Sequence, residues 1–98
     1  MQGDHGKPRP AVVIQSDLYP TDETIVVLLL TSTLVDLPLG RVLVEPTEAN
    51  GLRTVSQVMV DKPYAVALRK FGNVFGRLEE ASMLEVGRRL VLFLGIAD

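Results

Sequence analysis

A small, mainly β (α+β) domain is what this chain predicts: a strongly bent antiparallel sheet or barrel with a C-terminal α-helix. Three observations lead there. Short apolar, β-branched segments recur between turn signals as far as Leu68, and after Glu79 the apolar period lengthens to that of a helix. Ninety-eight residues at 47% hydrophobic content make one domain with a modest core. Aromatic residues are only 5% of the chain, so Val, Leu and Ile must fill that core.

The elements follow in order. Residues 11–16 (AVVIQS) read as a buried strand, continuous in apolar character and rich in β-branched side chains. Asp17 to Asp22 forms a turn cluster around Pro20. Residues 24–32 (TIVVLLLTS) are the longest apolar run. Its β-branched start and short, turn-bounded extent favour a central strand over a helix. Asp36-Leu37-Pro38-Leu39-Gly40 breaks the pattern, and residues 41–45 (RVLVE) alternate with the period of a half-buried strand.

Asn50-Gly51 marks a tight turn within a loop over 46–52. Residues 54–60 (TVSQVMV) predict a further strand, with Val55, Gln57 and Met59 on one face and Ser56, Val58 and Val60 on the other. Tyr64 to Leu68 suits a short strand, with turns at Gly72 and Gly76. The helix is expected over 79–94, where Met83, Val86, Leu90 and Leu94 share one stripe. Glu79 and Glu80 at its start and Arg88 and Arg89 in its later turns complement the helix dipole, and Gly95 stops it.

Composition narrows the function. The net charge of -2 and pI ≈ 5.3 argue against a basic nucleic-acid coat while leaving room for a local cationic site. Cysteine is absent, which excludes disulfides and thiolate chemistry. One histidine, His5, and scattered carboxylates leave too few ligands for a transition-metal site, and no cofactor is expected. No segment has the apolar length of a membrane span, and the N-terminus lacks a signal-peptide pattern, so the cytoplasm is the expected location.

The run Gly6-Lys7-Pro8-Arg9-Pro10 precedes the first strand directly. Each proline fixes its own φ and pushes the residue before it towards extended geometry, so Arg9 is presented from a nearly predetermined position. A guanidinium held in this way pairs two phosphate oxygens, which a mobile lysine does less well. The same segment, taken alone, is more often only a stiff surface loop. His5 is the side chain whose unperturbed pKa lies near neutrality, which makes it the candidate general acid or base, with Asp4 and Lys7 as substitutes.

Four segments in this order and spacing resemble the MazF/PemK family, the toxins of type II toxin–antitoxin pairs. They are GKPRPAVVIQSD, LLLTST, NGLRTVSQVMVD and GRLEEASMLEVGRRLVLFLGI, which together cover nearly the whole chain. The resemblance implies an SH3-like barrel that forms a homodimer, cleaves single-stranded RNA without a metal, and is blocked by a cognate antitoxin. It implies Arg9 and Thr31 as the active-site pair, with Ser32 replacing Thr31 if the register differs by one. Lys7, Arg41 and Arg53 are then candidates for RNA phosphates. Gln57 is a candidate for a base edge, although a satisfied strand residue is an equal reading.

Two departures from the family pattern stand out. The family's strand before the basic loop has no counterpart here, so the domain is expected over residues 1–98 with that first strand missing. Met59 and Val60 stand where many relatives carry a basic residue. Two other classes stay open at this point. One is a CcdB-like toxin of the same fold that poisons DNA gyrase, and the other is a catalytically inactive binding module.

Overall fold

The computed structural model describes residues 9–19 and 23–96. Five antiparallel strands form one sheet: β1 (Ala11–Val13), β2 (Thr24–Thr31), β3 (Arg41–Val44), β4 (Ser56–Met59) and β5 (Tyr64–Ala67). A 3₁₀ turn (Leu68–Lys70) follows β5, and among the described residues one α-helix, α1 (Glu80–Leu94), comes last. The order across the sheet is β1-β2-β4-β3, with β5 also paired to β2. The expected antiparallel sheet is present, and among the described residues it stays open: β1 and β3 lie at its two ends.

β2 explains why its sequence is apolar without alternation. Its two faces belong to two different cores, so neither can be polar. Leu28 and Leu30 join Val42, Val44, Val58, Val60 and Val86 in the larger cluster, which α1 covers. Ile25 and Val27 join Val66 in a smaller cluster on the other face, with Ala11, Leu29, Leu68 and Phe71 packed around it. Three strands pair with β2 in sequence along its length. β5 takes residues 24–27, β1 takes 27–29 and β4 takes 30–31.

Helix α1 ends as expected, on Gly95 at φ 73°, where the Ile96 N–H donates to the Val91 carbonyl. Two expectations about it need correction. Leu94 is 50% exposed rather than core, because the last turn runs past the sheet; Leu92, Phe93 and Ile96 are exposed there too. Arg88 and Arg89 do not serve the helix end, whose last turn carries no basic residue. Both instead reach Glu85, with Arg89 Nε at 2.6 Å from its carboxylate and Arg88 Nη1 at 3.9 Å. Spacings of three and four residues make that pairing local and automatic.

The β3–β4 loop is tied to the start of α1 through Asn50, which is buried. Its Oδ1 accepts the N–H groups of Thr47 and Leu52, and its Nδ2 donates to the Glu45 carbonyl and to Glu79 Oε1. The Thr47 hydroxyl donates to Glu79 Oε2. Gly76 passes so close that a Cβ there would lie 2.4 Å from the Asn50 carbonyl oxygen.

Bonds from the Thr47 hydroxyl, the backbone of Glu79 itself and the Asn50 amide hold the Glu79 carboxyl below its ordinary value of 4.5. A carboxyl whose pKa is lower folded than unfolded stabilises fully above the unfolded value. That contribution fades as pH falls through the folded one. Glu79→Gln is therefore expected to flatten the acid side of the stability curve below pH 4.5, read as Tm against pH. An unchanged acid limb would show that these bonds do not discriminate the ionised carboxyl.

Candidate active site

The site is assembled by strand register. Ala11 pairs with Leu29, and the Leu30 N–H donates to the Pro10 carbonyl at 3.0 Å. One residue further, the same register sets Arg9 opposite Thr31, the last residue of β2. On the other side Thr31 pairs with Gln57, and Gln57 pairs with Leu43. Residues opposite one another in a sheet share a face. Arg9, Thr31, Gln57 and Leu43 therefore form a row across the sheet, on the face away from the larger core.

The members of the row differ in what they can still bind. Arg9 is exposed and has no hydrogen bond or ion pair among the described residues. The Thr31 Oγ1 accepts the Thr33 N–H at 3.1 Å, which leaves its own hydroxyl hydrogen available. Ser32 lies just beyond β2 and is exposed, one step out of the row. Arg53 is exposed in the segment leading into β4, at the end of that strand that pairs with Thr31. His5, Lys7 and Asp4 lie outside the described residues.

Gln57 and Arg41 are engaged in a way that the sequence did not reveal. Gln57 is buried, and its amide clasps the backbone N–H and carbonyl of one residue, Val35, in the segment between β2 and β3. The Val35 N–H donates to Gln57 Oε1 at 3.1 Å, and Gln57 Nε2 donates to the Val35 carbonyl at 2.9 Å. Arg41 Nη1 donates to the same Oε1 at 3.3 Å. Arg41 Nε sits 3.9 Å from Asp61 Oδ1, and both atoms are buried with no hydrogen-bond partner. Gln57 thus acts on a loop rather than presenting its amide to a base edge. Arg41, its side chain 13% exposed, is turned inward rather than outward to phosphates.

An open pocket of about 350 Å³ lies beside β3, lined by Leu37, Pro38, Leu43 and Gln57 together with Glu85 and Arg89 of α1. None of the α1 residues was a candidate from sequence. The Glu85–Arg89 spacing was the available signal, but it marks a helix surface as readily as a pocket. Among the described residues no three of His, Asp and Glu gather into a group that could hold a metal ion, and no helix is long and apolar enough to cross a membrane.

Residues 1–94 match the family described as PemK-like, MazF-like toxin of type II toxin–antitoxin system. The chain belongs to that family. It is 42% identical over 92 residues to a probable endoribonuclease MazF of Mycolicibacterium smegmatis, covering 94% of this chain and 84% of that protein. The fold is similar to the Mycobacterium tuberculosis toxin MazF-mt6, at TM-score 0.78 and 21% identity over 92% of this chain and 89% of the other. It is also similar to a mycobacterial endoribonuclease solved in complex with its cognate antitoxin. That match has TM-score 0.76 and 20% identity, covering 92% and 84% of the two chains. The 42% identical relative lies on the ribonuclease side of the toxin fold, and none of these matches supports a gyrase poison.

Proposed function

We infer that this MazF-like toxin is an endoribonuclease that cuts single-stranded RNA by attack of the substrate's own 2′-hydroxyl, leaving a 2′,3′-cyclic phosphate. The observation that supports it best is the register bringing Arg9 opposite Thr31 on an open face. In the proposed reaction the 2′-oxygen loses its proton and bonds to phosphorus. The bond to the 5′-oxygen breaks, and that oxygen takes up a proton. Charge builds on the two non-bridging oxygens between those events.

Arg9 answers that charge with a planar pair of N–H donors, and Thr31 adds its hydroxyl hydrogen to a phosphoryl oxygen. His5, Asp4 and Lys7 remain the candidates for proton transfer. Ser32 and Arg53, both exposed, are the candidates for contacts to the flanking RNA strand. The partner is a cognate antitoxin, for which an acidic, partly disordered segment laid over Arg9 would both block RNA and neutralise the cation. A homodimer would cover the apolar end of α1, where Leu92, Phe93 and Ile96 are exposed. The cytoplasm, where messenger RNA is translated, is the compartment that this activity requires.

Purified protein incubated with single-stranded RNA in excess chelator is expected to cut it and leave a cyclic phosphate end. RNA left intact under those conditions would refute the reading.

A further inference from the structure

From Ser32 to Leu39 every residue of the segment between β2 and β3 is exposed, so no buried side chain of its own pins it to the fold. Two of its hydrogen bonds are local turns: the Thr33 N–H donates to Thr31 Oγ1, and the Gly40 N–H to the Leu37 carbonyl. Among the described residues, the bonds that join it to the sheet are the two between Gln57 and Val35. We propose that Gln57 is a positioning residue of the active site: by holding Val35 it fixes the turn that starts at Thr31, and with it the direction of the Thr31 hydroxyl. The proposal rests on the ribonuclease reading above and on Thr31 as a donor within it.

Gln57 meets the turn at both ends. It pairs with Thr31 in the sheet, so the two side chains share a face, and its amide then reaches Val35. That amide bonds the N–H and the carbonyl of one residue, as a neighbouring strand does. The hold of the sheet is thereby carried past the last residue of β2, and residues 31–35 are closed into a loop on Gln57. Inside the loop the Thr33 N–H meets Thr31 Oγ1 at 3.1 Å. This bond takes one lone pair of the oxygen and restricts where the hydroxyl hydrogen can point. With Val35 released, the Thr33 N–H loses its fixed place and the hydroxyl its fixed direction.

The amide cannot turn over. Gln57 Oε1 accepts from both the Val35 N–H and Arg41 Nη1, at 3.1 and 3.3 Å, and a flipped amide would set its own N–H groups against both donors. Arg41 is held in turn beside Asp61, with Nε 3.9 Å from Oδ1. A leucine at position 57 would fill the same buried space with no partners to satisfy. What it could not do is fix a backbone direction beside Thr31.

The test is a double-mutant cycle, read as the single-turnover rate at saturating single-stranded RNA in chelator, and as KM. Gln57→Leu is expected to slow cleavage about tenfold or more, as small misplacements of a reacting group do, with KM within about twofold of the parent. Thr31→Val removes the hydroxyl and keeps the shape of the side chain. In that background Gln57→Leu should cost nothing further, because the group it positions is already gone. A residue that only supports the fold would slow both backgrounds alike.

An unchanged rate in Gln57→Leu, a raised KM at unchanged rate, or losses that multiply in the double variant would each overturn the proposal while wild-type cleavage left the ribonuclease reading intact. A fully active Thr31→Val protein would remove the hydroxyl and this proposal with it. Wild-type protein that cut no RNA would refute both readings. Should Gln57→Leu melt early, Gln57→Glu takes its place, since its carboxylate still accepts from the Val35 N–H and Arg41 and loses only the donation to the Val35 carbonyl. The same fall in rate, absent in the Thr31→Val background, is expected of it. In the unaltered protein the Val35 amide proton should exchange more slowly than those of Leu34 and Asp36, and equal exchange would also overturn the proposal.

Discussion

Arg9→Ala is expected to lower the rate of RNA cleavage by about 10²–10³ at saturating substrate, the usual loss when one preorganised donor to a developing anion is removed. Arg9 is exposed and bonded to nothing among the described residues, so the substitution should leave Tm and circular dichroism unchanged. Arg9→Lys keeps the charge and discards the planar fork, so it should recover only part of the rate. Single-turnover assays in chelator separate these outcomes from altered binding. A fully active Arg9→Ala protein would remove the guanidinium from the mechanism.

The second large effect concerns the loop anchor. Asn50→Ala abandons four hydrogen bonds made by one buried amide, leaving the Thr47 and Leu52 N–H groups and the Glu45 carbonyl short of partners. A loss of about 3 kcal/mol is expected, and for a domain of this length that lowers Tm on the order of 15 °C. Asn50→Asp isolates the direction of the bonds. It puts a carboxylate oxygen where Nδ2 donated, facing the Glu45 carbonyl and the Glu79 carboxylate. The variant should be destabilised most near neutral pH and should recover part of the gap as the carboxyls protonate in acid. Equal stability of Asn50→Asp and the parent at neutral pH would contradict the network as described.

How much of this was legible beforehand depends on the range of the signal. The strands around Val12, Leu28, Val42, Val58 and Val66 were readable because each carries β-branched or Leu residues between turn residues, although β1, expected as a buried strand over 11–16, is only Ala11–Val13 and has no buried residue. Arg9 and Thr31 were found through resemblance to a family, as the two ends of neighbouring strands. That they face one another follows only from the β1–β2 register. The clasp between Gln57 and Val35 was invisible, because the two are 22 residues apart and Gln57 looks like any polar residue in a strand. Arg41 misled for a similar reason: beside a turn it reads as solvated, and only the approach of Asp61 and Gln57 shows it turned inward. Leu94 kept the helical period while the sheet beneath it had already ended.

The row across the sheet takes its members from positions 9, 31, 43 and 57, so no fragment ending before Gln57 can display it. A nascent chain therefore lacks this row until more than half of its 98 residues have been made.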